Sequence, residues 1–138
     1  MWMMHRKTSA AWILVFLLVG GTLLAGCKSA GAIRADNRES LRQLERGMTQ
    51  SEVLDVMGTK TYRDQYNDQY TNPHRTETLP GSDGDQYTVL FYYTDLKRQD
   101  GAVTDDELTP LVLRNNELIG WGWSYLEEDG NSYTVRIR

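Results

Sequence analysis

Cysteine occurs once in this chain, at Cys27, and histidine twice, at His5 and His74. A single thiol excludes a disulfide-stapled scaffold, so any domain here must hold together through its core. Basic residues are also in short supply. Fifteen Lys and Arg face 19 Asp and Glu. Arg6 and Lys7 are the only charged residues before Cys27, which leaves the rest of the chain with 13 basic and 19 acidic groups, net −6. Sequence-independent binding to phosphate backbones depends on a basic surplus, so nucleic acid is excluded as a partner class. With 138 residues, there is room for one modest domain and none for a two-domain enzyme. No internal repeat is present.

Charge is missing altogether from Thr8 to Gly26, a run rich in Leu, Val and Ala. Arg6 and Lys7 precede it, the apolar stretch Ala11–Leu18 follows, and small residues come after at Gly20 and Gly21. That order is the layout of a secretory signal peptide. Nineteen uncharged residues are also close to the minimum for a membrane span, so length alone leaves a single uncleaved anchor open.

Leu24-Ala25-Gly26-Cys27 stands where the apolar run stops, and it resembles the bacterial lipobox. The resemblance implies cleavage between Gly26 and Cys27, diacylglycerol on the Cys27 thiol and an acyl chain, palmitate for example, on the new amino group. Thiols have the nucleophilicity that thioether formation needs. Several acyl chains, each buried CH₂ contributing about 0.8 kcal/mol, give stable anchoring where one chain does not. Lys28 rather than Asp follows the cysteine. By resemblance to the enterobacterial sorting pattern this implies the outer membrane, facing the periplasm, rather than the inner membrane. On this reading residues 1–26 are a lipoprotein signal peptide, 27–35 are the lipidated cysteine and a flexible tether of mainly small residues, and 36–138 are one domain.

Within that domain, Asp36 to Gly47 reads as a first helix, capped by Asp36 or Asn37, with Leu41 and Leu44 on one face. Met48-Thr49-Gln50-Ser51-Glu52-Val53 carries a capping box between Thr49 and Glu52, with Met48 and Val53 as the hydrophobic staple. A second helix then runs to about Met57 and closes at Gly58. Residues 59–86 read as a long polar stretch. Tyr62, Tyr66 and Tyr70 recur at i, i+4 and i+8, so a third helix and an irregular loop fit equally. Tyr87–Thr94 alternates as a strand. Leu111–Arg114 and Leu118–Tyr125 flank Asn115-Asn116, a tight hairpin signal, and Tyr133, Val135 and Ile137 mark a last strand. The expected fold class is α+β, two short N-terminal helices packed on a three- to four-stranded antiparallel sheet.

Gly47-Met48-Thr49, Val53 and Met57-Gly58-Thr59 resemble the helix-turn-helix signature of the small outer-membrane lipoprotein family SmpA/OmlA, also called BamE. The lipobox, short tether, helix pair and antiparallel strands follow that family's order. Lys60 stands where the family usually has proline. The segments Leu108–Leu113 and Leu118–Gly122 look closer to a less characterised group of proteobacterial lipoproteins sharing the helix pair. The resemblance implies an envelope protein partner, the machinery that inserts β-barrel proteins being the first candidate, with membrane attachment through the N-terminal lipid.

Chemistry-bearing patterns are sparse. His74 lacks a constrained partner in the sequence, and no serine sits in a nucleophile-elbow pattern, so no catalytic residue is assigned. Asp83, Asp85, Asp100, Asp105, Asp106 and Glu107 suggest calcium, but EF-hand spacing fails. With Gly101 as position 6, Glu107 falls correctly at 12 while Leu96 and Arg98 occupy positions 1 and 3. No metal site or cofactor is assigned, weak calcium binding by the acidic loop staying open. Ile119, Trp121, Trp123 and Tyr125 are expected on one strand face, with Gly120 and Gly122 opposite. Trp121, Trp123 and Tyr125 then either fill the space between sheet and helices or form an aromatic face that anchors a partner protein. The expected function is that of a non-enzymatic outer-membrane lipoprotein in envelope or β-barrel protein assembly. The alternative is a periplasm-facing binding or inhibitor-like module for another protein or small ligand.

Overall fold

The computed structural model describes residues 29–81 and 84–128. The fold is α+β, as the sequence predicts. Helices α1 (Ala30–Leu41) and α2 (Gln50–Met57) are followed by the short strands β1 (Thr61–Arg63) and β2 (Gln69–Thr71), then β3 (Arg75–Pro80), β4 (Gln86–Tyr93), β5 (Leu108–Arg114) and β6 (Glu117–Trp121), and helix α3 (Trp123–Glu128). β1 and β2 form their own antiparallel hairpin, and β3-β4-β5-β6 make a four-stranded antiparallel sheet in that order.

The first helix starts earlier than the sequence suggests. Ser29 caps it, its side chain accepting from the Ala32 N–H at 3.2 Å, and Ile33 and Asn37, four residues apart, are both buried. Within the tether expected over 27–35, residues 30–35 are therefore the first turns of α1, and the expected helix end at Gly47 falls back to Leu41. Asp36 is a reasonable cap in isolation. What selects Ser29 is that the longer helix brings Ile33 into the core.

The second helix is formed as its capping box dictates. The Glu52 N–H donates to Thr49 Oγ1 at 3.4 Å, and Glu52 Oε2 accepts from the Thr49 N–H at 2.8 Å. The same oxygen accepts from the Thr49 hydroxyl at 2.8 Å, and the two bonds it accepts, from the Thr49 backbone first and its hydroxyl second, hold the Glu52 carboxyl below its usual pKa. Gly58, with φ +78, closes the helix through its N–H to Leu54 O at 2.8 Å. Met48 packs beside Val53 in one cluster, as the staple requires.

The described residues within 59–86 form neither the helix nor the irregular loop but mainly three strands. Tyr62 and Tyr70 face each other across the β1–β2 hairpin. Asp64 closes its turn by accepting from the N–H groups of Tyr66 and Asp68, both at 2.9 Å, and Asn67 takes a positive φ of 69. The i, i+8 spacing of the tyrosines is here a cross-strand pairing.

β4 is the central element and is buried on both faces. Leu90 and Tyr92 join Leu111, Leu113, Leu118 and the α2 residues Val53 and Met57. Tyr87, Val89, Phe91 and Tyr93 face the other way, against Val112, Ile33, Tyr70 and Leu126. At one side of the sheet, the turn before α2 covers β6. Gly47 N–H donates to Leu118 O at 2.8 Å and Leu118 N–H to Met48 O at 2.7 Å. β3, lying on the opposite side, forms the other edge of the sheet.

Asn115 and Asn116 take positive φ values of 50 and 73, the geometry of the expected two-residue hairpin. Past it, the expected strand over Leu118–Tyr125 is corrected. Register slips between Val112 and Leu113, so that Val112 pairs Gly120 and Leu113 pairs Leu118, with Ile119 left over as a bulge. Ile119 consequently belongs to one core cluster and Trp121 to the other. Gly122, at φ +93, then ends the strand, and Trp123 and Tyr125 lie on α3. The expected last strand through Tyr133, Val135 and Ile137 lies outside the described residues.

Gly120 is required where it stands. A Cβ there would lie 2.5–2.6 Å from three atoms of the Tyr125 ring. Gly120→Ala is expected to lower the unfolding free energy by about 1–3 kcal/mol through overpacking. The cost should shrink in a Tyr125→Ala background, which a double-mutant cycle in urea would measure.

Candidate functional site

α1, the β1–β2 turn and the connection after β4 enclose a cleft of about 300 Å³. Ala30 and Arg34 form the helix wall, Asp64, Tyr66, Asp68 and Tyr70 the hairpin wall, and Leu96, Arg98, Gln99 and Gly101–Val103 the third, with Tyr93 also lining it. Arg34 Nη1 donates to Tyr93 Oη at 2.8 Å, and its guanidinium carbon stands 5.2 Å from the centre of that ring. Tyr70 stacks on Tyr93 with centroids 5.5 Å apart and planes 5° from parallel.

The third wall is shaped from inside by Glu107. This carboxylate is 1% exposed, and it accepts from the N–H groups of Lys97 (2.6 Å), Arg98 (3.1 Å) and Thr104 (3.3 Å). Its backbone carbonyl takes the N–H groups of Thr94 and Asp95, both at 3.0 Å. Arg38 donates to the Thr94 carbonyl at 2.5 Å, tying the same connection to α1. Behind the cleft, Asn37 and Asn72 exchange side-chain hydrogen bonds at 3.2 and 2.8 Å, and Asn37 also donates to Tyr93 O at 2.7 Å.

Burial sets the titration of the phenols. Desolvation raises the Tyr70 pKa, helped by Asp64, and it raises Tyr93 despite the opposing Arg34. Tyr92, whose hydroxyl donates to Gly58 O at 3.3 Å, is raised further still, again by burial. An acid whose pKa is higher in the folded state contributes stability that is present below its unfolded value and is lost as pH rises through and beyond it. Stability should therefore fall above pH about 10, the unfolded tyrosine value. In an absorbance titration at the tyrosinate band, these three rings should ionise only together with unfolding.

A second, wider cleft of about 410 Å³ lies between α1 and α2, lined by Asp36, Asn37, Glu39, Ser40, residues 55–58, Lys60 and Tyr62.

Several residues singled out from the sequence lie elsewhere. Cys27 and the lipobox residues Leu24, Ala25 and Gly26 lie outside the described residues, as does Asp83. Trp121 packs against the α2 cluster. Trp123 sits against the opposite one, its indole N–H donating to Leu108 O at 2.8 Å and its ring 6.0 Å from Phe91. Tyr125 covers Gly120 with Arg46 stacked 5.5 Å away. The three therefore share no single face, because the Ile119 bulge and Gly122 break the alternation that would have aligned them. His74 stands on the surface, its backbone N–H bonded to Phe91 O at 2.7 Å. Asp105 pairs with Arg75 at 3.2 Å and Asp106 accepts from Thr104 Oγ1 at 2.5 Å. Among the described residues no group of three or more His, Cys, Asp or Glu is arranged to hold a metal ion.

Sequence reasoning missed Arg34 and Tyr93 as site residues, and it singled out Glu107 only as one of the acids that suggest calcium. Arg34 was within reach, because Ile33, Asn37 and Leu41 recur at helical spacing and Ser29 precedes them as a cap.

A family described as protein of unknown function (DUF3192) matches residues 31–128. The chain belongs to this family. No curated protein matches the chain, and no solved structure does. The DUF3192 segment opens inside α1 and closes at the last residue of α3. It thus takes in every described residue except Ser29 and Ala30, including most of the part of α1 expected to be a tether.

Proposed function

We propose that this DUF3192 chain is a non-enzymatic lipoprotein of the outer membrane, facing the periplasm and acting through contacts with another envelope protein. The observation that carries the reading is the Leu24-Ala25-Gly26-Cys27 lipobox, placed two residues before the cap of a folded domain. Acylation would confine that domain to a surface and raise its effective concentration near membrane partners. Arg34, Asn37, Asn72 and Glu107 are engaged in holding elements together. The likeness to SmpA/OmlA at Gly47–Thr59, together with two helices ahead of an antiparallel sheet, favours a partner in β-barrel protein assembly.

The test is affinity purification of the tagged protein from mildly solubilised membranes, with Cys27→Ser as control. Recovery of barrel-assembly components from the acylated protein, lost in the control, is the expected result. Reproducible recovery of a different envelope protein would replace that partner. Equal recovery with Cys27→Ser would remove tethering as the mechanism.

A further inference from the structure

The start of α1 constrains how a chain acylated at Cys27 can sit on its membrane. Only Lys28 separates Cys27 from Ser29, so the chain between the acylated residue and the helix cap reaches at most about 7 Å. A folded domain of this size is about 30 Å across. The helix cannot unreel to lengthen the tether without withdrawing Ile33, which is 1% exposed, from the core. The domain is therefore held by one end.

That end carries an unusual side chain. Among the described residues Tyr66 is the large hydrophobic side chain that stands out as exposed, at 76%, whereas Tyr70, Tyr87, Tyr92 and Tyr93 are buried. Tyr66 sits in the turn between β1 and β2 and lines the same cleft as Ala30, the first residue of α1. Leu96 and Val103 lie on the facing wall. Tyrosine prefers the headgroup level of a bilayer, where its ring and hydroxyl meet different surroundings.

We infer that the domain rests on the bilayer with the α1 N-terminus, the Asp64–Asp68 turn and the 96–103 connection against the lipid headgroups, Tyr66 entering the interface. This placement rests on the lipid-anchor reading. Arg98 and Arg34 share the cleft with Asp64 and Asp68, so the surface has no cationic surplus. It needs no anionic lipid, and zwitterionic phosphatidylcholine suffices.

Acylation would occupy the chain's only thiol, so an introduced cysteine can be labelled alone. The experiment uses full-length protein extracted from membranes, carrying Gln65→Cys beside Tyr66 or Gln86→Cys at the far end of β4. Each is spin-labelled and reconstituted in phosphatidylcholine vesicles after its acyl mass has been measured. Collision rates with oxygen and with a water-soluble nickel chelate report depth. An oxygen-to-nickel ratio several-fold higher at position 65 than at 86 is expected. Inserting ten Gly and Ser residues between Lys28 and Ser29 should erase most of that difference. Equal ratios at 65 and 86 in acylated protein without the insertion would overturn the placement while leaving the anchor intact. Absence of acyl mass on Cys27 would overturn the anchor and the placement together.

Discussion

Glu107→Ala is expected to lower the unfolding free energy by about 3 kcal/mol or more, among the largest effects of any single substitution in this domain. The carboxylate is buried and is the acceptor for three backbone N–H groups, those of Lys97, Arg98 and Thr104. Removing it strands those donors and leaves a gap behind the cleft wall. Hydrogen bonds to a charged group contribute about 1.5–3 kcal/mol each, and part of the loss is recovered as water reaches the loosened segment. The connection between β4 and β5 should also become sensitive to proteases well below the global unfolding midpoint. Glu107→Gln keeps the shape and an acceptor oxygen, so it should fall between the two. Urea titrations of the three proteins check this, and a loss under about 1 kcal/mol for the alanine variant would show that the segment holds itself without Glu107.

Ile33→Ala is expected to cost about 2–4 kcal/mol, the range for truncating a fully buried aliphatic side chain. Ile33 is 1% exposed and shares a cluster with Tyr70, Tyr93 and Leu126. The size of the effect separates two readings of residues 30–35. A flexible tether predicts a change within about 0.5 kcal/mol, as for any exposed position. An integral first turn predicts the larger figure, with a lower urea midpoint and an unchanged slope. Because α1 supplies Arg34, Asn37 and Arg38 to the cleft and its back wall, Ile33→Ala should also loosen the Tyr93 surroundings.

What could be read from the sequence follows the range over which each feature is decided. The capping box at Thr49 and Glu52 and the Asn115-Asn116 turn are complete within a few residues, and both appear as the local chemistry dictates. β3 is different. Its inward positions are Arg75, Glu77 and Leu79, each paired across to Phe91, Val89 and Tyr87. Arg75 lies 3.4 Å from Glu77 and 3.2 Å from Asp105, with its guanidinium 4.0 Å over Phe91. An ion pair and a cation–π contact stand where apolar residues usually signal a buried face, so no alternation is visible. The Ile119 bulge is likewise a property of the β5–β6 pairing. It moved Trp121 away from Trp123 and Tyr125 and so dissolved the aromatic face that strict alternation predicts. The cleft depended most on long-range contacts. Arg34 and Tyr93 are 59 positions apart, and only a correctly placed α1 brings them together.

The most direct test is the mass of the N-terminal peptide from protein extracted from the membranes of a bacterial host that processes lipoproteins. Cleavage before Cys27, with diacylglycerol on the thiol and an acyl group on the amine, is the predicted result, and Cys27→Ser should abolish it. An unmodified Cys27, on a chain recovered in the soluble fraction or still carrying residues 1–26, would contradict a lipid-anchored domain.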